Sequence, residues 1–297
     1  MGFLDFLVKP LGQILYFIYT TVAFRNYGLA IIIFTFIVKL ILLPLTVKQY
    51  RSTAKMQEIQ PLIQDIQRRY KNDKEKMNQE LMKLYQEHKF NPAGGCLPLL
   101  IQLPIIFSLY YAINQPLRFL LNKTPEQIEK LIEYVTQKVG QVAISASREI
   151  GVINYFNEHI SEIANVSDIL KPEELINLNF LGINLGLVPK ISTDLLFGPQ
   201  SSIYLPLLII PILAVATTYI SSKIMAPKTD SGNKSGSSTT NSTQNMMLLL
   251  GPVMTLIFSF QLPAGVVLYW IASNVFQILQ QLYINKYVMR KKEVKAK

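Results

Sequence analysis

The chain has 297 residues, half of them hydrophobic, only 16% of them charged, and a formal net charge of +10. Soluble domains carry roughly 25% charged residues, so this composition argues against an ordinary soluble globule and for a membrane protein. One cysteine, Cys96, and two histidines far apart, His88 and His159, leave no basis for a disulfide framework or the usual metal sites; neither metal nor cofactor is expected.

Residues 1–26 are apolar but interrupted by Asp5, Lys9, Pro10 and Gly12. The uninterrupted part is short for a span, so the expectation is an interfacial helix on the outer face, with a sixth span as the alternative. Five apolar runs of spanning length follow, at about 27–47, 96–116, 203–225, 246–260 and 264–284. The fourth and fifth, separated by Gln261-Leu262-Pro263, form a tight helical hairpin. Residues 48–90 carry a basic excess, and Met56, Ile59, Ile63, Ile66 and Tyr70, then Met77, Leu81 and Leu84, recur at three and four residues. That pattern predicts two amphipathic helices in an antiparallel cytosolic hairpin. Pro61 should kink or restart the first of them, and Asn72 with Glu75 should cap the second. "NPAGG", residues 91–95, turns the chain into the second span.

The outer segment, 117–200, is acidic, with a helical patch at Thr124–Val139 and little other pattern. Residues 226–245 read by composition as a flexible cytosolic linker, and 286–297 as a basic tail. With the basic segments inside, the N-terminus lies outside and the C-terminus in the cytosol. The expected fold is an all-α polytopic membrane protein of five transmembrane helices, its core running over 27–285.

Polar residues in the spans carry the functional signal. Thr35, Lys39 and Thr46 share one helical face in the first span. Trp270, Ser273, Asn274, Gln277 and Gln281 form a stripe on the fifth, with Tyr269 beside it. Gln102 lies on the second span, and Thr217, Thr218, Ser221 and Ser222 on the third. Interhelical hydrogen bonding, at about 0.6 kcal/mol per contact, accounts for Ser, Thr and single Gln residues. It does not account for Lys39, which costs ~2.5–3.5 kcal/mol on insertion scales and has no acidic residue within the spans to pair with. Either it snorkels to the inner interface, or it lines a water-containing recess open to the cytosol, with Thr35, Gln102 and the last-span stripe. Such a recess attracts acidic residues of a visiting chain. The spans hold no nucleophile, acid and ligand set, so catalysis is not expected.

"TFIVKLILLPLTVKQYRSTAKMQEIQP", "EHKFNPAGGCLPLLIQLPIIFSLYYAI", "NFLGINLGLVP" at 179–189 and "LPAGVVLYWIASNVFQILQQLYIN" at 262–285 resemble, in order, blocks of the YidC/Oxa family of membrane protein insertases. The five-span arrangement is similar to the bacterial, Gram-positive form. The resemblance implies a positively charged hydrophilic groove, open to cytosol and lipid and closed outside. Lys39 then stands where the family usually has arginine; lysine keeps the charge and loses the bidentate fork. Substrate contacts carry over to Thr35, Tyr269 and Trp270. Substrate capture and partner contact carry over to the hairpin, with Arg51, Lys55, Met56, Pro61, Arg68, Arg69, Met77 and Leu81 as its candidate residues.

The expected function is that of an insertase and chaperone for membrane proteins, lipoproteins included, acting alone or with the Sec translocon. Its expected partners are nascent membrane proteins, the ribosome through hairpin and tail, and the bilayer of the bacterial cell membrane, in which it works as a monomer. A secondary transporter or channel for a small anion is the alternative.

Overall fold

A computed structural model of the chain describes residues 3–90, 97–140, 147–225, 238–284 and 286. The "NPAGG" turn, Cys96, residues 226–237 of the linker and nearly all of the basic tail lie outside them. The chain forms two compact units, Met1–Lys39 with Ile106–Lys297, and Leu40–Ile105.

The first unit begins with α1, Phe3–Thr21. Val8, Leu15, Ile18 and Tyr19 are buried on one side of it, while Phe6, Ile14 and Phe17 are exposed. The buried side docks closely: a Cβ at Gly12 would lie 2.7 Å from the Phe119 carbonyl oxygen. The next residue, Gln13, donates from Nε2 to the carbonyls of Phe119 and Leu120, both at 2.9 Å. Arg118 pairs with Asp5 at 3.2 Å. The turn after α1 leads into α2, Tyr27–Ile41, whose third amide is capped by the Asn26 side chain at 2.9 Å.

The outer segment is better ordered than its sequence pattern suggested. After α5, Leu97–Asn114, and the single turn α6, Pro116–Phe119, comes α7, Pro125–Val139. Thr124 and Gln127 close a reciprocal capping box on α7, Pro125 opens it, and Gly140 at φ +75° ends it. Ile128, Leu131, Ile132 and Val135 of α7 join Ile150, Val152, Ile153 and Phe156 of α8, Arg148–Glu158, in the buried core. Tyr134 and Tyr155 both donate to Glu162 Oε2 at 2.9 Å, and Lys138 stands 3.4 Å away. The two phenols, Tyr155 first, with Lys138, hold that carboxyl below its usual range.

An antiparallel ribbon follows, β1 Asn179–Phe180 and β2 Ile183–Asn184, paired Asn179 to Asn184 and Phe180 to Ile183. Its two turn residues, Leu181 and Gly182, have φ +52° and +81°, the left-handed pair that a two-residue hairpin demands. The all-α expectation therefore holds for the bulk of the described chain, with one short ribbon that the sequence reading did not foresee. A Cβ at Gly28, in the first turn of α2, would overlap the Phe180 ring, so this glycine is needed for the ribbon to sit on α2.

After the short α9, Thr193–Phe197, the helices α10, Ser201–Leu207, and α11, Ile209–Met225, together form the one described helical stretch long and apolar enough to cross a bilayer unaided. Both α12, Ser238–Ser259, and α13, Ala264–Tyr283, pack against α11. Helix α12 begins inside the stretch that composition assigned to the linker.

The second unit holds α3, Leu43–Arg69, and α4, Lys74–Glu87. The first apolar run is interrupted between α2 and α3 at Leu42, where Pro44 occupies the first turn of α3. A proline there lacks an amide to donate and crowds the carbonyl four residues earlier, at Leu40. Pro61, by contrast, lies inside the unbroken α3, so the helix does not restart there. The cap of α4 is Asp73, accepting the Lys76 amide at 3.0 Å, one residue beyond the Asn72 expected. Ile59, Ile63 and Leu84 are buried between the two helices, with Met56, Ile66, Leu81, Tyr85 and Phe90 around them, which is the amphipathic hairpin the spacing predicts.

One buried acid tests the outer core. Glu149, in the first turn of α8, is 8% exposed, and its carboxylate accepts the Arg118 amide at 3.2 Å. Burial, outweighing the backbone amides of Arg118 and Leu117, pushes its pKa up to about 7. The fold therefore favours the protonated form. The stability this group adds is complete below the ordinary carboxylate pKa and is lost as pH rises through about 7. Thermal unfolding of the wild-type protein and of Glu149→Gln should match below about pH 4. The variant should be more stable at pH 8, by about 1–3 kcal/mol.

Candidate functional site: the polar faces of α2, α11 and α13

Helix α2 changes character along its length. In its first half Tyr27, Gly28, Ala30, Ile31, Phe34 and Thr35 are buried. In its second half Phe36, Ile37, Leu40 and Ile41 are exposed, and Lys39 is half-buried in the last turn. The Thr35 hydroxyl donates to the Ile31 carbonyl at 2.7 Å, one turn back along its own helix. All six ion pairs among the described residues lie elsewhere, so no carboxylate pairs with Lys39 there. Its backbone carbonyl receives the Gln280 amide of α13 at 3.5 Å. Thr46, placed on the same face as Lys39 by helical spacing, belongs to a different helix, α3, beyond the break at Leu42.

Helix α13 is fixed at its start by the outer segment. The amides of Ala264 and Gly265 donate to the carbonyls of Leu187 and Leu185, each at 2.8 Å. A Cβ at Gly265 would lie 3.3 Å from both Ile113 and the Leu185 carbonyl, and 3.4 Å from Ile31, so only a small residue admits all three neighbours. Further along, Phe276 meets Phe36 of α2 edge to face at 5.2 Å.

The stripe predicted on α13 divides between two neighbours. Tyr269 and Ser273 are buried and share a face with Phe276 and Gln280, toward α2. Asn274 turns to α11, donating from Nδ2 to the hydroxyls of Thr218 at 2.8 Å and Thr217 at 3.4 Å. Thr218 also accepts from Thr255 of α12 at 3.2 Å. Gln277 reaches the Met225 sulfur at 3.0 Å, and Trp270 is half-buried. Asn274 and Gln277 are thus interhelical fasteners, while Tyr269 and Ser273 stay on the face that carries Lys39's neighbours. The sequence reading missed two members, Thr255 and Gln280. Thr255 and Ser259 one turn apart in an apolar helix were a visible signal; Gln280 was hidden by its neighbour Gln281.

In the second unit Gln102 is half-buried on α5. Of the hairpin residues, Met56 and Leu81 belong to the apolar seam and Met77 is half-buried. Arg51, Lys55, Pro61, Arg68 and Arg69 are exposed, Arg69 pairing with Asp65 at 2.6 Å. Among the described residues no group of acids, histidines or cysteines is placed to hold a metal.

A sequence model of the 60Kd inner membrane protein family matches residues 17–292. The chain belongs to this family, the YidC/Oxa family. Proteins named "Membrane protein insertase YidC" are similar to it across nearly its whole length. The one from Pelobacter propionicus is 32% identical over 97% of this chain, and the one from Syntrophobacter fumaroxidans 32% over 96%. The chain spans about two fifths of the length of those two relatives, 40% and 39%. The relative from Clostridium perfringens is 33% identical over 87% of this chain, and there the match covers 78% of the relative. Membership of the YidC/Oxa family makes the chain a membrane protein.

Within this family member the Asn274 bridge is a stability element. Replacing Asn274 or Thr218 with valine should destabilise the α11–α12–α13 bundle, and the double variant should lose less than the sum. The coupling expected is about 0.6 kcal/mol, with an upper bound near 2 kcal/mol, read as a double-mutant cycle of reversible unfolding in micelles.

Proposed function

We propose that this protein is a membrane insertase, its working group the Lys39 ammonium at the end of α2. One observation supports this most directly: a half-buried lysine, unpaired among the described residues, sits where α2 passes from a packed half into an exposed half. An ammonium in that position needs water or an arriving counter-charge. The acidic flank of an entering chain supplies one. The names of the relatives agree with that role.

In this reading five helices cross the bilayer: α2, α5, α10 with α11, α12 and α13. The N-terminus and the acidic outer segment lie outside, the basic hairpin and tail in the cytosol. A polar groove containing Lys39, Thr35, Tyr269 and Ser273 opens to the cytosol. The packed first half of α2, together with the ribbon on Gly28 and the Leu185 and Leu187 carbonyls at the start of α13, closes its outer end. A substrate hairpin enters from the cytosol, its acidic outer segment pauses at Lys39, and its apolar span leaves into lipid. That partition releases ~0.8 kcal/mol per methylene buried, with help from the membrane potential on acidic tails. The exposed cations of the hairpin, Arg51, Lys55 and Arg68, face the cytosol and offer a surface to the ribosome or the Sec translocon.

Insertion of a small single-span substrate with an acidic outer tail, in cells depleted of their own insertase, tests the assignment at matched expression. Lys39→Arg should retain most of the wild-type yield, and Lys39→Gln should lose it several-fold. A glutamine variant as active as the wild type would remove the electrostatic role of Lys39. A wild-type chain that restores no insertion would remove the function itself.

A further inference from the structure

Two large apolar side chains are held in exposed positions on left-handed backbone. Phe24 is 88% exposed at φ +50°, and Leu181 is 85% exposed at φ +52°. Asparagine and glycine tolerate that conformation far better than leucine or phenylalanine. The first position of a two-residue hairpin turn favours Asn or Asp for the same reason. At Leu181, therefore, both the backbone and the solvation argue for a polar residue, and the chain keeps an isobutyl group.

Both residues are tied to the same helix end. Phe24 and Arg25 make the turn between α1 and α2. The Arg25 guanidinium donates to the Glu173 carbonyl, and the Tyr19 hydroxyl accepts the Asn177 amide at 3.0 Å. Phe180, next to Leu181, is the residue that fills the space above Gly28 in the first turn of α2. On the reading above α2 spans the bilayer, so its first turn marks the lipid–water boundary on the outer side. The ribbon tip rides at that level, and so does Phe24, three residues before the helix begins. The acyl–headgroup boundary receives such side chains favourably, and an ordered strain of this kind persists where the surroundings repay it.

We propose that the ribbon tip at Leu181 is a lipid anchor, inserted at the outer-leaflet boundary with Phe24 from the same helix end, and that lipid thereby holds the ribbon down on α2. The occupant is a bilayer surface and not a protein partner, because the tip shares the helix end that enters lipid. This inference rests on the spanning, outer-segment-outside orientation proposed above.

The test uses the full chain carrying Cys96→Ser, reconstituted at about one copy per vesicle, with a single introduced cysteine bearing an environment-sensitive nitrobenzoxadiazole dye. Leu181→Cys is compared with Asp168→Cys, exposed on the outer segment, and with Ile212→Cys, exposed on α11. At position 181 we expect blue-shifted emission, quenching by lipids carrying a nitroxide near the headgroup, and resistance to external iodide. Position 168 should show the reverse, and position 212 should be quenched only by deeper nitroxides. If dye at 181 is quenched by iodide like that at 168 while 212 remains in lipid, the anchor is overturned and the spanning reading stands. If 181 and 212 are both water-exposed, the spanning orientation on which the anchor rests falls with it.

Discussion

The start of α13 imposes the constraint from which the rest of the first unit follows. A helix that begins in an apolar environment presents amides with no intrahelical partner, and burying them unsatisfied costs several kcal/mol. Here two of them, on Ala264 and Gly265, are satisfied by the carbonyls of Leu187 and Leu185. A loop with fixed backbone direction is therefore part of the helix's own hydrogen bonding. The ribbon before it must then be well placed, which accounts for its two left-handed turn residues and for the Leu185 amide bonded back to the Leu178 carbonyl at 2.9 Å. Gly28 and Gly265 admit the close approaches that result. The outer segment is in this sense a structural component of the helix bundle and not an appendage to it.

The polar residues of the helices serve two different physical ends. On α11, α12 and α13 the hydroxyls and amides find one another, Asn274 with Thr217 and Thr218, and Thr218 with Thr255. Such contacts are individually weak because the separated helices also find partners in the membrane. They set register among the three helices. Lys39 is the exception, a full charge with no fixed opposite charge beside it among the described residues. The division explains why a single stripe on α13, continuous in sequence, does not make a single continuous lining.

Much of the architecture was legible from periodicity. The hairpin seam of Ile59, Ile63 and Leu84, the helix opening at Thr124-Pro125, and the tight turn before α13 all follow from local patterns with a physical cause. What was not legible depended on long-range geometry. Phe180 gains its meaning only from Gly28, more than 150 residues earlier, and Leu185 and Leu187 only from the amides they cap. The outer segment has little periodicity because its core is assembled from short, irregular pieces buried on several sides. One signal was present and was underweighted: Pro44 stands inside the first apolar run, and a proline there argues against the uninterrupted helix assumed for 27–47.

That proline bears directly on Lys39. By ending α2 at Ile41 it places the lysine in the last turn, where the final carbonyls lack partners within the helix and the helix dipole is negative. A cation in such a position gains about 0.3–1 kcal/mol, up to ~2 kcal/mol where partly buried. Against an insertion cost of ~2.5–3.5 kcal/mol, the helix end offsets part of the penalty and leaves the remainder. Gln280 adds nothing to the balance, since its amide donates to the Lys39 carbonyl and not to the ammonium. The remainder has to come from water admitted to the exposed half of α2 or from a carboxylate that arrives and departs. A fixed acid would have neutralised the charge permanently. Among the described residues there is none, so the charge is left to water or to a transient partner, as the proposed insertase reading requires.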